Sequence, residues 1–299
     1  MSNHQKLIEI GIRVADLKMS QEDKTWSRYS SDKVDIGQEL ASIIRVLNKE
    51  LPLRLKMTAL SIGSSHEPQF RILETAFKGG LYLLDLDKQA LDIVKERITR
   101  QRTGHVNLIQ GDYNKIFLNS KNLENFFKNK LKSKRMNLVT LHHSLYYSSA
   151  AKWETIFENV YRKILASRGA IHTVLMASKS NNHNSTTWLY NHFAGKFFNI
   201  HNDQDLYSFK NQLEKFKLFK NTKKVITTQK VFFYVDNFAK FMSVAWMILL
   251  YPNVHKYSLL QRQEITEYVY RQFWLKKKPL VQEQDHLIIY RGIKEKSLV

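Results

Sequence analysis

Three short apolar runs constrain the fold of this chain more than any other feature. Each is too short to form a helix of its own, and each closes on a glycine or an acidic residue, as parallel strands do when a ligand sits above their carboxyl ends. The pattern therefore predicts that Gly63, Asp85 and Asp112 lie along one crevice. The three runs are MTALSIG at 57–63, GGLYLLDLD at 79–87 and HVNLIQGDY at 105–113.

Segments with helical periodicity separate these runs, and the alternation continues to about residue 180. Alternation of this kind predicts parallel strands joined by right-handed crossovers, that is, an α/β fold with a doubly wound sheet. The predicted strands are 57–62, 80–85, 105–110, 136–142 and 169–176, and the predicted helices between them are 67–78, 88–100, 119–132 and 151–166.

The alternation of strands and helices changes after Lys179, where a polar loop precedes a mainly helical region. The order of elements there fits a Rossmann-like seven-stranded sheet whose last strand pair is antiparallel, with a helical insertion ahead of the final strand. The predicted elements are helices at 188–197 and 203–219, a β-rich run at 223–235, helices at 237–250 and 258–275, and a last strand in DHLIIYRG.

The region ahead of the first strand is expected to be a lid. Residues 1–34 are weakly patterned and carry the aromatic pair Trp26 and Tyr29, which we expect to fold over a ligand, with Tyr29 at the substrate. A helix with Asp35 as its N-cap is predicted next. We expect three segments in all: an N-terminal helical lid segment at 1–56, a cofactor-binding core at 57–180, and the remainder of the sheet with a helical cap at 181–299.

Composition limits the partners without naming one. The 299 residues include 47 basic and 27 acidic side chains, for a net charge of +20. Such a balance favours a polyanionic partner such as nucleic acid, although abundant lysine, asparagine and isoleucine also fit a compositional bias.

There is no cysteine, which excludes disulfides and thiolate metal sites. The longest apolar run, 242–251, is about half of the roughly 20 residues that a membrane-spanning helix needs, and no secretory signal is evident, so a cytoplasmic protein is expected.

The residues at the strand ends suit a nucleoside. Gly63 allows the backbone to approach a ligand closely, and Ser64 and Ser65 can begin the next helix. Asp85 follows Gly63 by 22 residues, close to the spacing of an acid that accepts hydrogen bonds from both ribose hydroxyls. Asp112 suits an exocyclic adenine amine, or else it builds a turn with Gly111.

These motifs resemble those of the class I S-adenosylmethionine-dependent methyltransferases. LSIGSS resembles the family's first motif, LYLLDLDKQAL the motif with the ribose acid, and LIQGDY the adenine motif. The segment MNLVTLHHSLYYSSAAKWETIF at 136–157, with helices inserted before the last strand, is similar to the histamine N-methyltransferase-like group of small-molecule enzymes.

The resemblance implies S-adenosylmethionine as cofactor and a role for each matching residue. Gly63, Ser64 and Ser65 would lie near the methionine part, Asp85 and Leu86 near the ribose, Asp112 and Tyr113 around the adenine, and His142 near the transferable methyl group. His142 and Tyr146 are the candidate catalytic residues, and Tyr146 and Tyr147 would wall the acceptor pocket. A metal site is not expected.

The sequence is compatible with three functions. The first is methylation of an amine or another nucleophile on a small molecule. The second is methylation of RNA or protein through a basic surface, for which the runs at 128–135 and 276–278 would have to converge on the crevice. The third is a non-catalytic binding or scaffold subunit, because Ser65 and Glu67 stand where the family usually has two further glycines.

Overall fold

A computed structural model describes residues 2–16, 19–220, 222–250 and 256–294, with the backbone alone at 19–21. These residues form a seven-stranded sheet with the strand order β3-β2-β1-β4-β5-β7-β6. Strands β1 to β5 pair in parallel, and the last pair of the sheet is antiparallel. The strands are β1 Thr58–Ile62, β2 Gly80–Asp85, β3 Val106–Gln110, β4 Met136–His142, β5 Leu165–Met176, β6 Lys223–Phe233 and β7 Leu280–Arg291.

At least one helix lies between each pair of consecutive strands in the described residues. Three of them continue into a π-helical turn, over Phe126–Lys130, Val160–Ile164 and Tyr270–Trp274. The helices are α1 Asn3–Arg13, α2 Met19–Tyr29, α3 Asp32–Glu50, α4 Phe70–Ala76, α5 Lys88–Gln101, α6 Tyr113–Phe117, α7 Ser120–Asn125, α8 Trp153–Asn159, α9 Thr186–Phe198, α10 Leu206–Lys215, α11 Phe238–Leu249 and α12 Leu259–Val269.

The chain packs as two compact units that interleave in sequence. The first comprises Met1–Asp35, Met176–Asp205 and Thr228–Gln284, and the second comprises Ile36–Leu175, Leu206–Thr227 and Asp285–Val299. The division of the chain at residues 56 and 180 stays a prediction.

In the second unit, the sheet separates two apolar clusters. Alternate residues of a strand point to opposite faces, so Leu60 and Val139 join one cluster while Ala59 and Leu138 join the other. Burial of both faces is typical of parallel strands, and β1, β2 and β4 are buried along almost their whole length, including most of their polar residues. The polar residues at the strand ends are therefore not explained by packing alone.

In the first unit, α11 explains the longest apolar run of the sequence. Its side chains are buried on nearly every side, and the indole Nε1 of Trp246 donates to the carbonyl of Gly11 on α1 at 2.8 Å. A Cβ atom on Gly11 would lie 2.4 Å from Cγ2 of Thr266, so glycine permits the close approach of α1 and α12. Among the described residues, no helix combines the length and the apolar character needed to cross a membrane.

Several element boundaries differ from the sequence prediction. Helix α3 begins at Asp32, so Asp35 lies inside the helix and accepts a hydrogen bond from the Gln284 side chain instead of capping. Helix α4 begins at Phe70 rather than at residue 67, because the backbone at Glu67 is left-handed and cannot join a helix. Within the region 1–34, which is weakly patterned in the sequence, the described residues form the helices α1 and α2, and α1 begins with a capping box at Ser2.

Candidate active site

The second unit brings together nearly all the predicted cofactor and acceptor residues. Gly63 to Ser65 follow β1, Asp85 ends β2 with Leu86 just beyond it, and Asp112 and Tyr113 follow β3. His142 ends β4, and Tyr146 and Tyr147 form a short 3₁₀ turn just beyond it. The pairing of β3, β2, β1 and β4 as parallel neighbours places all these positions at one edge of the sheet, as predicted.

The loop after β1 has a left-handed backbone at three alternate positions. The φ angles are +66° at Gly63, +47° at Ser65 and +48° at Glu67. The first motif of the methyltransferase family that the sequence resembles usually has glycines at these positions. The loop therefore keeps the backbone conformation of a glycine-rich loop, although Ser65 and Glu67 carry side chains. A left-handed residue other than glycine costs about 1 to 2 kcal/mol, and the surrounding contacts must offset that cost.

The carboxylate of Asp85 provides part of this offset. One oxygen, Oδ2, accepts the amide of Ser65 at 2.6 Å, and the other, Oδ1, accepts the amide of Asp87 at 2.8 Å. The amides of Gly63 and Ser64 both donate to the carbonyl of Leu84. Burial raises the pKa of Asp85, and the two amide bonds act in the opposite direction. Asp85 therefore holds the loop after β1 against the end of β2.

The side chain of Glu67 points into the protein interior. It is buried, it bonds Ser61 on β1, and its Oε1 accepts the amide of Gln69 at 3.3 Å. Its second oxygen is buried and has no hydrogen-bond partner among the described residues. Burial raises the pKa of Glu67 from its ordinary value of 4.5 to about 7. A side chain at this glycine position is thus accommodated inside the fold.

The raised pKa of Glu67 predicts a pH dependence of stability. Because the folded chain binds this proton more tightly than the unfolded chain, the stabilisation is complete below about pH 4.5 and is lost as the pH rises through about 7. From about pH 5 to about pH 8, the wild type is expected to lose up to about 3 kcal/mol relative to Glu67→Gln. Urea denaturation at both pH values measures this difference. The exposed Glu154 supplies the control Glu154→Gln, and an identical pH slope in wild type and Glu67→Gln would contradict the prediction.

Asp112 and Tyr113 have structural partners. Oδ1 of Asp112 accepts the amide of Asn114 at 2.9 Å and caps α6, which is the turn alternative that the sequence left open. Tyr113 is buried in the apolar cluster, and its hydroxyl donates to the carbonyl of Ser144 at 2.8 Å. Asn114 donates to the carbonyl of Tyr147 at 3.0 Å. These bonds fasten the loop after β3 to the loop after β4.

Exposed apolar and unpartnered polar groups mark the same edge of the sheet. Leu86 is 68% exposed and Tyr147 is 57% exposed. Among the described residues, the buried hydroxyls of Ser64 and Ser144 have no hydrogen-bond partner. Buried polar groups are normally satisfied, so these two hydroxyls are exceptions within the packing of this edge.

His142 is the end of a chain of three histidine rings. Its Nε2 lies 3.0 Å from Nδ1 of His172 on β5, and Nε2 of His172 lies 3.1 Å from Nδ1 of His286 on β7. His172 and His286 are fully buried, while His142 is only partly buried. Burial holds the pKa of both His142 and His172 well below the ordinary value, with neighbouring histidines acting in the same direction.

His172 and His286 were not predicted from the sequence to lie beside His142. The signal for each was a histidine within an otherwise apolar strand, in AIHTVLM and DHLIIY. Their partnership depends on the strand order β4-β5-β7, which a sequence does not display. His143, next to His142, has a left-handed backbone, and its ring stacks on Tyr146 with centroids 6.1 Å apart. The two adjacent histidines therefore have different neighbours.

Tyr29 belongs to the first unit, and its role at the substrate stays a prediction. Its hydroxyl accepts a hydrogen bond from Nζ of Lys240 at 3.3 Å, and this bond lowers the pKa of Tyr29. Trp26, the other half of the predicted aromatic pair, is buried and stacks on Phe233 at 5.8 Å. Trp26 is thus part of a hydrophobic core.

Part of the basic run at 128–135 joins other cations away from the candidate site. Lys134 and Arg135 line a cleft of about 780 Å³ together with Lys56 and Arg168. The lining residues lie at the amino ends of β1, β2, β4 and β5, which is the edge opposite to Gly63 and Asp85. Among the described residues, no carboxylate lines this cleft, but its cations lie away from the crevice.

Comparisons with known proteins support the fold. No family model and no curated protein matches the sequence. Among solved structures, the YcgJ protein of Bacillus subtilis superposes with a TM-score of 0.51 at 10% identity, covering 83% of this chain and 97% of that one. The plantazolicin methyltransferase BamL, solved with an analogue and S-adenosylhomocysteine (SAH), gives 0.47 at 13% identity, covering 96% and 97%. An rRNA methylase from Streptococcus thermophilus gives 0.40 at 9% identity, covering 83% and 93%.

Together, the strand order and the antiparallel last pair define the Rossmann-like fold of class I methyltransferases. At these identities the structural similarity establishes the fold alone, so the function has to be inferred from the side chains at the site.

Proposed function

We propose that this protein is an S-adenosylmethionine-dependent methyltransferase that acts on an amine or another nucleophile of a small molecule. The observation that carries the proposal is the loop at 63–67, whose left-handed backbone at three alternate positions is bonded to the carboxylate of Asp85. This loop keeps the backbone path of a glycine-rich cofactor loop although two of its positions carry side chains. We therefore rank methyl transfer above the scaffold alternative.

The residues at the strand ends fit the cofactor part by part. Each carboxylate oxygen of Asp85 accepts one amide and retains acceptor capacity for a ribose hydroxyl. The exposed Leu86 offers an apolar surface to the adenosine, and Asp112 keeps one oxygen that does not cap α6. The loop at 63–65, which is bonded to Leu84 and Asp85, would lie near the methionine part. Tyr113 donates a hydrogen bond to the carbonyl of Ser144 in the loop after β4, and so acts as a positioning residue.

S-adenosylmethionine supplies an electrophilic methyl group on a sulfonium centre. The task of the protein is then to align the acceptor with that group, because positioning accounts for most of the rate in such a displacement. The exposed ring of Tyr147 and the ring of Tyr146 stacked on His143 would wall the acceptor pocket, and their π-faces attract a cation. His142, partly exposed at the end of β4, is placed to accept a proton from the acceptor.

RNA is the second candidate acceptor. The cleft lined by Lys56, Lys134, Arg135 and Arg168 favours an anionic partner, but it lies at the opposite edge of the sheet from the proposed site. A strand of RNA that occupied this cleft would bind with a strong salt dependence. We therefore propose the small-molecule acceptor first.

Methyl transfer from tritium-labelled S-adenosylmethionine tests the proposal. Panels of alkyl-, aryl- and imidazole-containing amines and a mixture of structured RNAs serve as acceptors. The proposal expects label in one class of amine and less transfer by Asp85→Ala. Label recovered only in RNA would select the second candidate, and binding without transfer to any acceptor would favour the scaffold alternative.

A further inference from the structure

The three histidine rings are connected through the same pair of atoms at each step. Nε2 of His142 faces Nδ1 of His172, and Nε2 of His172 faces Nδ1 of His286. A neutral imidazole carries its proton on one nitrogen and accepts on the other. If His142 carries its proton on Nε2, then His172 must do so as well, and Nδ1 of His286 accepts. The rings therefore share one tautomer, and a change at one end requires a change at the other.

The open end of this chain lies at the candidate site. Nδ1 of His142 makes no hydrogen bond to any residue that the structure describes, and the ring is only partly buried. In the tautomer with the proton on Nε2, this nitrogen carries a lone pair, and it stands at the carboxyl end of β4 beside the loops of the crevice. It is thus available as a base to a molecule bound there.

The interior of the chain is shielded. His172 pairs in the sheet with Thr140, and His142 pairs with Val174. Residues of the same sheet face, such as Val174 and Ile288, belong to an apolar cluster. The titratable groups that adjoin the rings in sequence are His143 and Asp285, and Glu67 bonds Ser61, which pairs with Thr140. An ordered hydrogen-bonded chain in such surroundings transmits a proton without an intervening water molecule.

We propose that His142, His172 and His286 form a proton relay that removes the proton released by the methyl acceptor. The inference rests on the proposed function for the identity of that acceptor. An ammonium acceptor would lose its proton to Nδ1 of His142, which frees the nitrogen lone pair for methylation. The proton on Nε2 of His142 passes to Nδ1 of His172, and the proton on Nε2 of His172 passes to Nδ1 of His286. The positive charge thus moves from the acceptor to His286, and no proton is gained or lost. His142 is the catalytic residue, and the other two position it and carry the charge.

Nitrogen NMR of the full chain with ¹⁵N-labelled histidine tests the relay without any ligand. In wild type, His142 and His172 are expected to be neutral and to share one tautomer. His286→Leu removes the last acceptor and is expected to change the tautomer population of His142, although these two rings do not touch. His286→Gln supplies an amide oxygen as a replacement acceptor and is expected to restore the wild-type tautomer. Opposite tautomers at His142 and His172 in wild type would overturn the relay even if His286→Leu does not fold.

A kinetic measurement separates the relay from the proposed function. His172→Phe keeps a ring of similar size but interrupts the proton path, so kcat with an amine acceptor is expected to fall about 100-fold or more, as on removal of a general base, while affinity for S-adenosylmethionine stays the same. The control is His183→Phe, at an exposed ring stacked on Trp188 in the first unit. Wild-type turnover by His172→Phe would overturn the relay and leave the methyltransferase proposal intact. Failure of wild type to bind the cofactor would overturn the proposed function, while the NMR result would still report on the hydrogen-bonded chain.

Discussion

Asp85→Ala is expected to weaken binding of S-adenosylmethionine by about 10- to 150-fold. This range corresponds to the loss of a charge-assisted hydrogen bond, worth about 1.5 to 3 kcal/mol. The structure adds a second contribution, because the same carboxylate accepts the amides of Ser65 and Asp87. Without it, the loop at 63–67 loses a bond that offsets its left-handed backbone. Equilibrium dialysis with labelled cofactor measures the change in dissociation constant.

Asp92→Ala is the matched control for this experiment. Asp92 is an exposed acid on α5, where it pairs with Lys88 at 3.4 Å. An exposed pair of this kind contributes little to stability, so Asp92→Ala is expected to bind cofactor as wild type does. Equal affinities of wild type and Asp85→Ala would show that the cofactor binds elsewhere.

Gly63→Ala is expected to destabilise the chain by about 2 to 5 kcal/mol. An alanine at a φ of +66° costs about 1 to 2 kcal/mol, and overpacking costs about 1 to 3 kcal/mol more. The overpacking arises because a Cβ atom at Gly63 would lie 2.4 Å from Cβ of Ser144. Relief of this contact would displace the loop after β1 from the loop after β4, so cofactor affinity is expected to fall as well. Urea denaturation measures the stability term.

The glycine at 104 supplies the matched control, because a Cβ atom there would meet nothing within 4 Å. Gly104→Ala is expected to change stability little. A double-mutant cycle with Ser144→Gly then isolates the contact, since removing the Ser144 side chain removes the clash but leaves the backbone strain at residue 63. A favourable coupling of about 0.5 to 3 kcal/mol is expected. Additive effects of Gly63→Ala and Ser144→Gly would contradict the packing account.

The sequence predicted those strands whose apolar runs coincide with their length. Strands β1, β2, β3 and β4 match their predicted bounds within a residue, since each coincides with a mainly apolar run. The sequence prediction placed the start of β7 too late, because Gln282 and Gln284 are polar residues of a kind that is typical of loops. Both are buried in the first unit, where their side chains bond each other at 3.0 Å. A polar strand of this kind depends on a partner that a sequence does not reveal.

The candidate site likewise contains some residues that the sequence predicted and others that it did not. The strand-end positions of Gly63, Asp85 and His142 follow from pattern, because a parallel sheet brings its carboxyl ends together. The side chain of Glu67 points inward from a left-handed backbone, and the sequence has no glycine at this position to indicate that conformation. The histidine chain depends on β5 and β7 being neighbours, although His172 and His286 are 114 residues apart. These features arise from tertiary packing and had to be observed in the structure.

Isothermal titration calorimetry of the wild-type chain with S-adenosylmethionine tests the central claim most directly. If the crevice at Gly63, Asp85 and Leu86 is a cofactor site, the titration shows saturable binding with one site per chain, and S-adenosylhomocysteine competes for it. The absence of any binding heat at cofactor concentrations far above those typical of methyl-transfer enzymes, from a chain shown to be folded, would contradict the account.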